Sequence, residues 1–179
     1  MYWKRGKQNR PAVGVEYWKS DSSYVAPGTK NSLDEYSSCL DDYAHRGATF
    51  NIITDHIVEN YEPSDKIVIH ELGCNSGYNL DYLKTILDNC GFTSVEFSGN
   101  DSWGDAIKLG KIKYPKINLI EKLTFDFLFD IINKKDENNS IDIIFSHSHC
   151  IHLIDEDLDL IYPAIKEGIS ECFFFEDFD

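Results

Sequence analysis

Two stretches of this 179-residue chain hold residue types at spacings that suit chemistry. The first is Glu71-Leu72-Gly73-Cys74-Asn75-Ser76-Gly77, directly after the apolar, β-branched run Ile67-Val68-Ile69. Small residues between a strand and a helix leave backbone N–H groups pointing outward, and glycine puts no side chain between them and a ligand. Glu71 and the more distant Asp101 add acidic side chains at the carboxyl ends of strands. The second stretch is His147-Ser148-His149-Cys150-Ile151-His152, whose imidazoles titrate near neutral pH and suit proton transfer from an acceptor.

The elements around these stretches follow from periodicity. Ile67 to Ile69 reads as a buried strand. Beyond Gly77, Leu80, Leu83, Leu87 and Cys90 fall on one helical face, and Gly91 ends that helix. Ser94 to Ser98 alternates as a strand and leads into Gly99-Asn100-Asp101. A helix over about 103–113 turns Ala106, Ile107 and Gly110 inward. Ile117 to Ile120 is a third strand. Thr124 caps a helix carrying Phe125, Leu128, Phe129 and Ile132, and a polar loop follows from Asn133 to Ser140. Ile141 to Phe145 is a fourth strand, Leu158, Ile161 and Ile165 outline a helix that Pro163 should kink or split, and Cys172 to Phe175 is a fifth strand. Ahead of the first strand, Ser32 and Glu35 form a capping box that starts a helix near Leu33. A second helix over about 48–60 carries Phe50, Ile53 and Ile57 on one stripe, with Gly47 separating the two. His45, Arg46 and His56 have no partner identifiable at this level.

Strands alternating with helices imply βαβ units, right-handed crossovers and a parallel sheet covered on both faces: an α/β, Rossmann-like three-layer sandwich. Ligands of such sheets sit outside the carboxyl ends of the strands, where Glu71–Gly77, Asp101 and the histidines all fall. The chain divides into an aromatic-rich basic arm over 1–31, a helical cap over 32–62 and a ligand-binding domain over 63–179. The arm, with Tyr2, Trp3, Tyr17, Trp18 and Tyr24, reads first as cover for a hydrophobic edge and second as a lid over an acceptor pocket.

Composition limits the function classes. A 42% hydrophobic and 27% charged chain is ordinary globular material. The net charge of −14 argues against binding along a nucleic-acid backbone. Residues 1–30 hold six basic and two acidic side chains, net +4, which leaves −18 on the remainder. Five cysteines without a CxxC pair suit a reducing compartment, and neither a secretory signal nor an apolar run of membrane-spanning length is visible. The expected location is the cytoplasm, with no membrane partner.

ELGCNSG lacks the glycines of the dinucleotide pattern GxGxxG, but it resembles motif I, ExGxGxG, of the class I S-adenosylmethionine-dependent methyltransferases. Glu71, Gly73 and Gly77 match, and Asn75 stands at the middle glycine; asparagine is the non-glycine residue best suited to a left-handed backbone. With Asn79-Leu80 the turn is similar to a GCxxGxNL subgroup that includes methylases associated with sugar and pseudaminic acid biosynthesis. The resemblance implies strand order 3-2-1-4-5 and S-adenosylmethionine as cofactor. It implies cofactor binding by Glu71, Gly73, Cys74, Asn75, Gly77 and Asn79, with Asp101 on the ribose hydroxyls; the plain alternative for Asp101 is a helix cap. Residues 141–153 are similar to motif IV, which implies Ser146 beside the cofactor and His147 and His152 beside the acceptor. A structural hydrogen bond is the plain alternative for His152. Cys74 and Cys150 read as small buried side chains rather than nucleophiles.

The implied reaction is methyl transfer to an oxygen or nitrogen nucleophile of a small-molecule or sugar-like acceptor. A non-catalytic cofactor-binding module is the alternative. HxHxxH is also similar to the HxHxDH metal motif of metallo-β-lactamase-like hydrolases, which would place a metal on His147, His149 and His152. Ile151 in the aspartate position and the βαβ order speak against that reading, and no metal is expected. The family's sheet continues past the fifth strand with two more, whereas this sequence stops four residues after Phe175. That departure reads as a fragment, a reduced domain, or an edge covered by a second copy or another partner.

Overall fold

Ile67 and Ile69 open a strand that needs apolar cover on both sides, and the fold supplies it. In the computed structural model, which describes residues 43–133, 141–147, 149–150, 153, 155–168 and 171–175, this strand is the centre of the sheet. The elements are α1 (Tyr43–Asn60), β1 (Ile67–Leu72), α2 (Tyr78–Asn89), β2 (Val95–Asp101), α3 (Gly104–Lys113), β3 (Asn118–Glu121), α4 (Thr124–Asn133), β4 (Ile143–His147), α5 (Asp155–Gly168) and β5 (Glu171–Phe175). The five strands are all parallel, in the order β3-β2-β1-β4-β5. This is the expected Rossmann-like α/β sandwich.

The pleat sorts the side chains into two cores. Ile67, Ile69, Phe97, Leu119, Ile143 and Phe145 face one layer, with Phe50, Ile53 and Ile57 of α1, Leu80, Leu83 and Leu87 of α2, and Ile107 of α3. Leu72 and Ile144 face the other, with Phe127 and Leu128 of α4 and Leu158, Ile161 and Ile165 of α5. Full burial of each such side chain contributes about 1.5–3 kcal/mol. Truncating one, Leu83 to Ala for example, costs about 2–5 kcal/mol.

Several boundaries differ from the sequence reading, each for a physical reason. α1 runs unbroken through Gly47, because a lone glycine costs a helix only about 1 kcal/mol and the buried stripe of Phe50, Ile53 and Ile57 outweighs it. Cys90 is exposed, since it follows the last turn of α2. There Phe92 N–H bonds Leu87 O (2.9 Å) and Gly91 N–H bonds Asp88 O (3.1 Å), a Schellman closure that turns Phe92 back onto the core. α4 buries Phe127 and Leu128, while Phe125 and Phe129 lie outside. Pro163 does not split α5; the Asp159 carbonyl it leaves without an intrahelical donor lies on an exposed residue that water reaches. His56 does have a partner: its Nε2 lies 2.6 Å from Glu171 Oε2, tying α1 to β5.

The arm over 1–31, the helix expected near Leu33 and the loop over 134–140 lie outside the described residues. No helix among the described residues is long and apolar enough to cross a membrane.

The register levels the strand ends. Leu72 sits beside Asn100 on one side and Ser146 on the other, so the β1 turn, Asp101 and His147 share one edge of the sheet.

Candidate functional site

The turn after β1 is built by three residues with positive φ at alternating positions: Gly73 (67°), Asn75 (52°) and Gly77 (82°). Asn75 thus takes the left-handed conformation expected of it in place of a glycine, and its Oδ1 accepts the next backbone N–H, that of Ser76, at 2.8 Å. Gly77 N–H closes onto Cys74 O at 2.8 Å, and Cys74 N–H is anchored to Asn100 O of β2 at 2.9 Å. Glu71, fully buried at the end of β1, accepts a 2.7 Å hydrogen bond from Asn79 Nδ2 on the first turn of α2. The two motif residues therefore brace the turn from below. From the side, α3 presses its backbone against Ser76: a Cβ on Gly110 would lie 2.2 Å from Ser76 O.

Asp101 stands beside the turn. Its Oδ2 accepts Asn75 N–H (2.9 Å) and its Oδ1 accepts Trp103 N–H (2.8 Å). Trp103, not Asp101, holds the N-cap position of α3, so Asp101 is not that helix's cap. Burial raises the pKa of its carboxyl, while hydrogen bonds from the backbone of Trp103, Asn75 and Ser102 oppose the rise. Backbone dipoles rather than a cation balance this carboxylate among the described residues, and three backbone donors on its four lone pairs leave one for a further donor.

The two cysteines next to the site, Cys74 and Cys150, are buried. Burial, then the charges of Asp101 and Glu71, push the Cys74 thiol well above its ordinary range, which removes the nucleophilic thiolate at neutral pH. Cys150 is buried against Ser146, Sγ to Oγ 3.5 Å. Ser146 itself is fully buried at the end of β4, on the α4/α5 side.

The histidines part company. His147 lies on the α1 side, its ring stacked on Phe50 with centroids 6.1 Å apart and an interplanar angle of 19°. His149 turns to the other side, where its Nε2 meets Thr124 Oγ1 at 2.8 Å. Its ring fills the space beside Gly73, where a Cβ would come within 2.1 Å of the His149 Cγ. His152 lies outside the described residues, and among those described no three metal-ligating side chains gather.

Sequence reasoning missed His70 and Thr124. His70 is completely buried in β1, with Nε2 3.0 Å from Asn100 Oδ1 and Nδ1 2.7 Å from Ser98 Oγ. The signal was present: His70, Ser98 and Asn100 are polar residues in the two apolar strands nearest the turn, two of them in period-2 relation. Thr124 was expected to cap α4, but it is the first helical residue. Leu123 O accepts the opening bond from Phe127 N–H (3.0 Å), which frees the Thr124 hydroxyl for the interior.

No family model matches the sequence, and no curated protein matches it. Solved structures do match in shape. The plantazolicin methyltransferase BpumL, in complex with a monoazolic desmethylPZN analogue and SAH, superposes with a TM-score of 0.56 at 18% identity, covering 87% of this chain and 52% of that one. DesVI of Streptomyces venezuelae gives 0.55 at 15% identity, over 82% of this chain and 55% of that one. The chain thus spans about half the length of these structures. Together with the five-stranded order β3-β2-β1-β4-β5, the likeness gives this chain the class I methyltransferase fold.

Proposed function

We propose that this chain binds S-adenosylmethionine at the Glu71–Gly77 turn and transfers its methyl group to an oxygen or nitrogen of a small-molecule or sugar-like acceptor. The observation that carries the reading is the alternation of left-handed residues Gly73, Asn75 and Gly77, with Asp101 bonded to the middle one. Among the described residues the turn is a backbone cradle flanked by the carboxylates of Glu71 and Asp101, and Asp101 keeps a lone pair for a ribose hydroxyl, which fits a nucleoside whose arm carries no phosphate. The BpumL structure named above contains SAH, and the product of methyl transfer is the natural first probe here.

When bound, the cofactor supplies a sulfonium-linked methyl group open to in-line displacement. The protein's own contribution is alignment and exclusion of water, worth several kcal/mol through proximity. Gly73, Asn75 and Gly77 shape the backbone, and Asp101 holds the ribose hydroxyls. Glu71, Asn79 and Cys74 brace the cradle from within, and Ser146 lies buried beside Leu72 at the end of the neighbouring strand, next to the cofactor. His147, and His152 beyond the described residues, take the acceptor's proton. Titration calorimetry with S-adenosylmethionine and SAH tests the reading, with micromolar binding of both expected. Absence of binding by either ligand overturns it. Binding of both without methyl transfer to any acceptor in a metabolite panel favours a non-catalytic cofactor module.

A further inference from the structure

A row of polar side chains crosses the interior of the α4 side and ends on the candidate site. Its members are Ser98, His70, Asn100, Thr124 and His149, linked in that order at 2.7, 3.0, 3.4 and 2.8 Å. Buried polar groups are kept only when paired, because an unpaired one gives up its bonds to water with nothing in return. The directions of these bonds can be worked out from one fixed acceptor.

Lys122 O can only accept, and it takes a 3.0 Å hydrogen bond from Asn100 Nδ2. The Asn100 amide is thereby oriented, and its Oδ1 faces His70, so His70 Nε2 carries the proton. Burial holds the His70 ring neutral, with its pKa lowered to about 4, so Nδ1 is bare and accepts the Ser98 hydroxyl. The ring is clamped flat on Phe127, centroids 3.9 Å apart and 8° from parallel. On the other side Asn100 Nδ2 also donates to Thr124 Oγ1. Thr124 is buried, and the one acceptor for its hydroxyl hydrogen among the described residues is His149 Nε2. With Nε2 as acceptor, the ring's proton sits on Nδ1, on the edge of the ring that abuts Gly73.

We propose that His149 is a positioning residue for the cofactor turn: the row from Ser98 to Thr124 fixes its ring with Nε2 as acceptor, and the ring occupies the side-chain space that residue 73 leaves open. The inference rests on the proposed cofactor reading. It gives the glycine at 73 a second purpose, since the turn must admit an imidazole from the β4 loop as well as a ligand. It also takes His149 out of proton transfer through Nε2, whose lone pair is already engaged. An imidazole held in this way forms a stiff wall on the α4 side of the turn, set by the sheet rather than by the loop that carries it.

The test compares wild type with Thr124→Val, which keeps the shape and removes the hydroxyl, and with Thr124→Ser, which restores it. Long-range proton–nitrogen NMR on the histidine rings reads the tautomer, and calorimetry reads affinity for SAH. Wild type and Thr124→Ser should show His149 protonated on Nδ1. Thr124→Val should move the proton toward Nε2 and weaken SAH binding about tenfold, the effect of one lost hydrogen bond. His149 protonated on Nε2 in wild type overturns the proposal, as does unchanged SAH affinity in folded Thr124→Val. If wild type binds no SAH, the cofactor reading fails, and the ring spectra alone decide the placing of His149. If Thr124→Val does not fold, the wild-type ring spectra decide alone: His149 protonated on Nδ1 and His70 on Nε2 supports the row, and either ring in the opposite tautomer overturns it.

Discussion

Replacing His70 with Gln should change how stability depends on pH, by an amount the structure sets. The ring is fully buried and its pKa falls from 6.5 to about 4, chiefly because burial penalises the charged form; the hydrogen bond with Asn100 opposes the fall. Below pH 6.5 the unfolded chain binds a proton at this residue that the folded chain refuses, so stability falls as pH falls. The loss accumulates down to about pH 4, where the folded ring is protonated as well. At about 1.36 kcal/mol per pH unit, the whole window amounts to about 3 kcal/mol. A domain of this kind is held by about 5–15 kcal/mol in total, so the effect is large. Buried Asp101, whose pKa is raised, works in the opposite sense as pH falls, but it is present in both proteins and cancels in the difference. Urea unfolding at several pH values between 7 and 4 gives the two stability curves. Wild type should exceed His70→Gln at pH 7, for its stacking on Phe127 and its two hydrogen bonds, and that excess should shrink by about 3 kcal/mol at pH 4. Parallel curves, or a His70 ring that titrates near 6.5 by NMR, would refute the argument.

Three further outcomes follow from the same geometry. Gly73→Ala should be destabilising in wild type and less so in a His149→Ala background; the left-handed φ of 67° strains alanine in both, so the coupling isolates the ring contact, at about 1 kcal/mol or more by chemical denaturation. Asp101→Asn should weaken SAH binding about tenfold or more by calorimetry and lower stability at pH 7 by about 1–3 kcal/mol, because its amide has one acceptor oxygen for the Asn75 and Trp103 N–H groups that the carboxylate serves with two. Thiol reagents at pH 8 should label exposed Cys90 promptly and reach Cys74 only on unfolding, which timed mass spectrometry of peptides will show.

Much of the fold was legible because single stripes of apolar residues left one choice. Phe50, Ile53 and Ile57 on α1, and Leu80, Leu83 and Leu87 on α2, are buried as their spacing requires. α4 was misread for the opposite reason. TFDFLFDII is apolar nearly all round, and what selects Phe127 over Phe125 is its stack on His70, a contact between elements that no local period encodes. The turn was legible down to the left-handed Asn75, since backbone sterics act within one residue. His70 and Thr124 were not, because a buried polar residue declares its purpose only through partners from other strands and helices. Gly110 was read as an inward position, but not as the place where α3 rests on the backbone of the turn.

The separation of His147 from His149 follows from the pleat and divides the site into two halves. Phe145 and His147 lie two residues apart in β4 and so share the α1 face, where both rings neighbour Phe50. His149, beyond the strand, crosses under the turn to Thr124 on the opposite face. On the proposed reading, His149, engaged through Nε2, supports a wall, and His147, beside Phe50, accepts the proton. A single histidine-rich loop thus contributes differently to each side of the sheet edge. The turn between them, with Gly73 against one ring and Asp101 bonded to Asn75, is the one feature that both halves must share.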